Sequence, residues 1–409
     1  MDWLAPPLSE TEVCGFRLEK LLGEGAYGRV YQVDGGYALK QQLFADGYPS
    51  PFALREAAIL ASARHANVLR SHGTFMGCDG FHTDRLSIVM ELGDTTLSKQ
   101  MTSLSMEEKK DVVMDLLAGL AFLTYQGIYH RDLKPDNILM GDGVAAIGDF
   151  GLSARIAHER EVQTLWYRAP EVVMGEVYDE RADIWSLGCI IYELLHPNTP
   201  LFRRAGTPAQ LLELQRTLIA PLRSDTLLAR VMKDCLEFER DERSGALELL
   251  KRYFPDHEHD QGTWLRAPIV SGWRLPTVRN FLVQTKVPSY MWSQVTSLLL
   301  LVAKDRLIAE PRLLNALLYL ASCLVEPLPV DFIRQLWRSS RTAFTPELNT
   351  LCNELKYRVF FAVPPWDLMV TYLEGNLDAE QVIAFEQSDY SFYLDINPDN
   401  EMDLADVSE

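Results

Sequence analysis

Positive charge is scarce in this 409-residue sequence: 39 Lys and Arg stand against 57 Asp and Glu, a formal net charge of −18. A surface of that sign repels a phosphate backbone unless basic residues are sharply clustered, so nucleic acid is not an expected partner. Much of the excess is local, since eleven acidic residues and no Lys, Arg or His lie between Glu374 and the C-terminus. Long apolar runs are missing too. The longest, Leu298–Ala303, is followed at once by Lys304 and Asp305, far short of the roughly 18 residues that a membrane span needs. The N-terminal MDWLAPPLSETE has neither the basic start nor the apolar stretch of a secretory signal. Cysteine is sparse: Cys14, Cys78, Cys189, Cys235, Cys323 and Cys352 are scattered singly, with no C-x-x-C spacing for zinc and no dense disulfide framework. Neither an internal repeat nor a low-complexity tract is found. These absences point to an intracellular protein of the cytoplasm and/or nucleus, in a reducing compartment and without a membrane partner, and a monomer is expected.

At roughly 100–200 residues per domain, the length suggests two or three domains, each large enough for a real core. The first hundred residues mix short β-rich runs (Phe16–Leu22, Arg29–Val33, Tyr37–Gln41, Leu86–Glu91) with one helical pattern over Phe52–Arg64, which reads as a small sheet carrying one helix. From Ser105 to Phe254 helical periods dominate, at Met106–Gln126, Ala182–Leu195, Pro208–Leu218 and Leu227–Leu236, with a loop-rich stretch between Ile128 and Pro170. Residues 256–272 lack periodicity and are rich in Pro, Gly and charge, as an interdomain linker is. Beyond them helical periods recur, and prolines from Pro288 to Pro365 space five expected helices of about 12–18 residues. An acidic tail follows.

Four motifs carry chemistry. Gly23-Glu24-Gly25-Ala26-Tyr27-Gly28-Arg29-Val30 is a G-x-G-x-x-G-x-V run between two predicted strands, whereas a dinucleotide fingerprint ends by opening a helix. Alone it is no more than a glycine-rich hairpin. Lys40 in Tyr37-Ala38-Leu39-Lys40 has the strand setting of a lysine that holds α- and β-phosphates. His130-Arg131-Asp132-Leu133-Lys134-Pro135-Asp136-Asn137 matches H-R-D-L-x-x-x-N, and Asp149-Phe150-Gly151 follows. In this order the four make residues 16–255 resemble a protein kinase catalytic domain, preceded by an N-terminal extension over 1–15.

Phosphoryl transfer needs placed charge more than covalent help. The resemblance implies ATP and Mg²⁺ as cofactors, with Asp132 accepting the proton of the attacking hydroxyl and Lys134 meeting the transferred group. Asn137 and Asp149 are the expected metal ligands. Lys40 is expected to be held by Glu56, and Gly23, Gly25, Gly28, Val30, Glu91 and Gly93 to line the ATP site. His130 reads as a packed core residue. Glu171 of Ala169-Pro170-Glu171 is expected to pair with Arg243, and Asp183 to brace the catalytic loop. GEGAYGRVY, Ala53-Leu54-Arg55-Glu56 and Thr164-Leu165-Trp166-Tyr167-Arg168-Ala169-Pro170-Glu171 resemble cyclin-dependent kinases closely. Mitogen-activated kinases share the Trp166-Tyr167-Arg168-Ala169-Pro170-Glu171 spelling but not the Ala53-Leu54-Arg55-Glu56 helix. One departure is the short stretch between Phe202 and Leu236, which puts partners that dock on the longer insert of that family in doubt.

The relatives pair an activation-segment phosphothreonine with three arginines. Here residues 154–163 read ARIAHEREVQ, without Ser, Thr or Tyr. Glu159, counted back from Thr164, falls where the phosphothreonine would be, with Glu161 as the alternative substitute and a solvated acidic loop as the plain reading. Arg55, Arg131 and Arg155 form the expected arginine cluster. Tyr27 is a candidate inhibitory phosphosite, against an unmodified loop tyrosine.

Residues 273–374 resemble a single cyclin box. Leu313–Glu326 is similar to its buried third helix and Thr345–Phe361, with Pro364-Pro365 and Trp366–Leu373, to its fifth helix and the segment after it. Any five-helix bundle is the competing reading. Cys323 stands where cyclins carry a lysine toward the kinase helix, with Glu347 and Glu354 both open as the partner glutamate. The expected whole is α+β: a bilobal protein kinase fold, then an all-α cyclin-like five-helix domain and an acidic tail over 375–409. The resemblance implies a Pro-directed serine/threonine kinase acting on Ser/Thr-Pro sites in protein substrates, activated by an intramolecular contact with its own cyclin-like domain. The alternatives are a pseudokinase scaffold, and an active kinase whose C-terminal helices only dock partners.

Overall fold

The computed structural model describes residues 12–25, 28–44, 49–76, 85–153, 164–218, 226–257, 262–264, 275–288, 291–302, 306–307, 310–324, 331–333, 336 and 345–356. Tyr27, Arg155, Glu159 and Glu161, the tail over 375–409 and the segment resembling the end of the box over 357–374 lie outside them.

The N-terminal lobe is a six-stranded antiparallel sheet in the order β1-β2-β3-β4-β7-β6, built from β1 (Glu12–Val13), β2 (Phe16–Gly25), β3 (Gly28–Val33), β4 (Tyr37–Leu43), β6 (Ser71–Met76) and β7 (Arg85–Glu91). The glycine motif closes the β2–β3 hairpin, where Gly25 faces Gly28. Gly28 has φ +129° and a Cβ there would lie 2.1 Å from the Gln41 carbonyl oxygen, so only glycine fits. Helix α1 (Pro51–Ser62) follows β4, with proline in its first turn and Ser50 Oγ accepting the Ala53 N–H at 3.0 Å. Every residue from Ala53 to Ser62 is buried, as suits a helix covered on all sides. It ends by passing into β5 (Ala63–Arg64).

In the second lobe, β8 (Thr95–Thr96) leads into α2 (Leu97–Gln100) and then α3 (Met106–Tyr125), opened by a capping box in which Ser105 and Glu108 bond each other's backbone. A three-stranded sheet, β10 (Val144–Ile147), β9 (Ile138–Gly141) and β8, carries the catalytic motifs on its flanks. Then come α4 (Pro170–Met174), α5 (Arg181–Leu195), α6 (Pro208–Leu218), α7 (Leu227–Cys235) and α8 (Ala246–Tyr253). Gly188 lets α5 and α7 touch, since a Cβ there would meet Leu236 Cγ at 2.7 Å and Cys235 Cβ at 2.9 Å.

The C-terminal helices are α9 (Leu275–Gln284), α10 (Trp292–Leu300), α11 (Pro311–Cys323) and α12 (Thr345–Glu354). Their buried Leu298, Leu317, Tyr319 and Leu351 join one core that is continuous with α1 and the second lobe. At nine to thirteen residues, these four are mostly shorter than the expected 12–18. The helix expected to run from Thr345 to Phe361 stops at Glu354, with Lys356 at φ 50°.

Within 256–272, the expected interdomain linker, β11 (Thr263–Trp264) pairs antiparallel with β5, Thr263 opposite Arg64 and Trp264 opposite Ala63. Two residues are too few to show alternation. Cys14, in the turn before β2, is disulfide-bonded, because pairing follows proximity in space rather than spacing in the chain. Cys189, Cys235, Cys323 and Cys352 are free and buried. Among the described residues, no helix is long and apolar enough to cross a membrane.

Candidate active site

Strand alternation sets the first half of the site. Lys40 lies opposite Val30 on β3 and Ile88 on β7, so Val30 shares its face of the sheet. Lys40 Nζ donates to Glu56 Oε1 at 2.7 Å and Oε2 at 2.8 Å, and to Asp149 Oδ1 at 2.8 Å. The expected Lys40–Glu56 pair is therefore made, and Asp149 joins it. Gln42, two residues on and on the same face, donates Nε2 to Glu56 Oε2 at 2.9 Å. The sequence reading passed over Gln42, although period-two alternation from Lys40 points to it.

Burial disfavours the charged form of all three ionisable groups here. For Lys40 the carboxylates of Glu56 and Asp149 outweigh burial and its pKa is raised. Burial pushes Glu56 up against the pull of Lys40 and Gln42. Burial would also push Asp149 up, but Lys40 prevails and holds it below the ordinary carboxylate value. The result is an ammonium shared between two carboxylates from distant parts of the chain.

The second half is the loop from His130 to Asn137. Asp183, buried in the first turn of α5, accepts the His130 N–H at 2.6 Å and the Arg131 N–H at 2.8 Å through its two oxygens. This is the bracing expected of it, and it holds Arg131 at φ 69°. Burial raises the Asp183 pKa, opposed by His130 and these backbone donors. His130 is fully buried, bonds the Gly148 carbonyl through Nε2 at 2.8 Å and meets the Phe150 ring edge-on, the packed role read for it.

Asp132 Oδ2 accepts Lys134 Nζ at 2.6 Å, and Oδ1 accepts both the backbone N–H of Thr164 at 3.1 Å and its hydroxyl at 2.7 Å. Lys134 Nζ reaches Thr164 Oγ1 at 3.1 Å. Asn137 Nδ2 donates to Asp132 O at 2.8 Å and Oδ2 at 3.3 Å, so what Asn137 offers outward is its amide oxygen. Asp149 stands at φ 60°, in the left-handed region, which turns it toward Lys40. A carboxylate and an amide oxygen are hard donors of the kind Mg²⁺ takes. Among the described residues no group of three His, Cys, Asp or Glu could hold an ion.

The remaining expected residues have partners of their own. Gly23 pairs with Val30, and Gly93 lies against Leu139, 3.1 Å from where its Cβ would reach. Glu91 ends β7 with its carboxylate 3.8 Å from His72 Nε2. Arg243 and Glu171 pair through Nη1–Oε1 at 2.7 Å and Nη2–Oε2 at 3.1 Å. Arg168 is buried and its carbonyl accepts Gln215 Nε2 at 2.7 Å.

Arg55 and Arg131 of the arginine cluster are both buried. Arg131 lies 5.8 Å from the Tyr178 ring. Arg55 donates Nη1 to Ser153 O at 3.3 Å and Nε to Cys323 O, the last residue of α11, at 3.1 Å. Tyr319 Oη donates to Pro49 O, just before α1, at 2.6 Å. Contact with α1 is thus made by a main-chain carbonyl and a tyrosine that the sequence reading did not single out. Neither Glu347 nor Glu354 is seen to reach α1: Glu347 faces Arg312 at 3.6 Å and Glu354 binds Arg306 at 2.5 Å.

Comparison with known proteins agrees with this geometry. Residues 16–254 match the protein kinase domain. A probable cell division protein kinase of Encephalitozoon cuniculi (strain GB-M1) is 35% identical over 263 residues, which take in 57% of this chain and 95% of that protein. With its ion-paired lysine, its braced catalytic loop and a matching domain over more than half its length, the chain belongs to the protein kinase family.

Proposed function

We propose that this kinase is a Pro-directed serine/threonine kinase, held in its working conformation by its own residues 273–374 acting as a cyclin-like box. The observation that carries the catalytic part is the contact of Lys40 with both Glu56 and Asp149, which makes the pseudokinase alternative the weaker one. In this reading the substrate hydroxyl oxygen bonds to the γ-phosphorus of ATP, the bond to the β,γ-bridging oxygen breaks, and ADP leaves with that electron pair. Asp132 accepts the hydroxyl proton, and Lys134 steadies the transferred group. Thr164 aims the Asp132 carboxylate through two bonds to Oδ1. Lys40 holds phosphate oxygens under the glycine turn. Asn137 and Asp149 would hold the Mg²⁺ ion, which offsets phosphate charge when bound. Arg168 is the proposed support of the pocket that takes proline after the phosphoacceptor.

Activation in cis is favoured by how α1 is gripped. Tyr319 bonds its entry, Cys323 O takes Arg55 in the middle, and β11 pairs with its exit through β5. A short tether raises effective concentration to the millimolar range, so even a weak interface stays occupied. The full chain on a degenerate peptide array tests the specificity: phosphate should appear on Ser and Thr followed by Pro, and equal transfer with alanine after the acceptor would contradict Pro direction.

A further inference from the structure

We propose that Gln42 is a positioning residue, whose side-chain amide keeps Glu56, and with it α1, in place when Lys40 turns to the phosphates of the nucleotide. The inference rests on Lys40 being the phosphate-binding lysine and goes beyond that reading by assigning work to a neutral neighbour.

An ammonium has three N–H donors. All three acceptors within reach of Lys40 Nζ are carboxylate oxygens, two on Glu56 and one on Asp149. A phosphate oxygen can gain a bond from Lys40 only if one of these contacts is given up or weakened. Glu56 is almost wholly enclosed, with its side chain 2% exposed, so any bond it loses is not replaced by water. Gln42 is also buried and bonds Glu56 Oε2 from the next inward position of β4. Being uncharged, it neither competes for the phosphates nor adds to the Lys40 charge. Glu56 therefore keeps one donor that nucleotide binding does not call on. Because Glu56 sits in the middle of α1, holding its carboxylate also holds the helix against β4.

The test uses the full chain and four variants. Gln42→Met keeps the volume and removes the donor, and Gln42→Asn keeps the polarity but falls one methylene short of Glu56. Both should raise KM for ATP, and the dissociation constant of a fluorescent ATP analogue, by about tenfold. KM for the peptide should stay at the wild-type value. In a Glu56→Gln background, adding Gln42→Met should weaken analogue binding by less than about twofold, since the carboxylate it serves is gone. The proposal is overturned if Gln42→Met binds nucleotide like wild type, if Gln42→Asn does so, if the full loss persists beside Glu56→Gln, or if KM for the peptide rises as much as that for ATP.

Discussion

Arg243→Met should be among the most damaging single changes outside the active site. The Arg243 side chain is fully buried and that of Glu171 is 2% exposed. Arg243 also donates to Glu237 O at 2.9 Å and Arg181 O at 2.8 Å, and lies 5.1 Å from the Trp185 ring. Taking the guanidinium away leaves a buried carboxylate without its partner, which costs about 3–5 kcal/mol. In a domain of this size each kcal/mol lowers the melting midpoint by about 2–4 °C, so a loss of about 6–20 °C is expected. Adding Glu171→Met removes the stranded charge and should recover a good part of it, leaving the orphaned carbonyls at about 1 kcal/mol each. Calorimetric melting of wild type, single and double variants reads all three values. A single variant melting within 2 °C of wild type, or a double variant no better than the single, would refute the reasoning.

Gly262→Ala sets a Cβ 2.6 Å from Arg64 O and 2.8 Å from the Phe122 ring, at φ +59°, so it should displace β11. Tyr319→Phe strips the bond to Pro49 O. Each should lower peptide phosphorylation by about threefold to tenfold; unchanged turnover in both would leave the C-terminal helices as a docking module. Glu159→Ala should cost about tenfold in rate, equivalent to about 1.4 kcal/mol in the barrier, if that carboxylate substitutes for a phosphate; a wild-type rate would return the segment to a plain acidic loop.

Where residue type and spacing both carry meaning, the sequence was informative. Lys40, Glu56, Asp132, Asn137 and Asp149 come from four separated segments, yet their motifs named them, and the structure brings Lys40, Glu56 and Asp149 into one set of contacts and Asp132 and Asn137 into another. The long helices α3 and α5 were legible because their apolar residues recur at helical spacing; α6 was found at Pro208–Leu218. Strands β9 and β10, at four residues each, were lost in a stretch read as loop, since so short a run shows little alternation. β6 was passed over because Ser71-His72-Gly73-Thr74 is polar and carries a glycine. The grip on α1 was hidden for another reason. A cyclin-like lysine and glutamate were sought, but the contacts come from the Cys323 carbonyl and the Tyr319 hydroxyl. A main-chain acceptor leaves no mark in a side-chain pattern, so only the fold reveals it.

The central claim is that Lys40, Asp132 and Asp149 make this chain a working phosphoryl-transfer enzyme. The most direct measurement follows γ-labelled phosphate from ATP to a Ser-Pro peptide, using the purified full chain beside Lys40→Met and Asp149→Asn. The account predicts label on the serine with wild type, and loss of transfer by at least about a hundredfold in both variants, each still folded at the assay temperature. Wild-type protein that binds ATP but transfers no label, or variants with near-normal turnover, would contradict it.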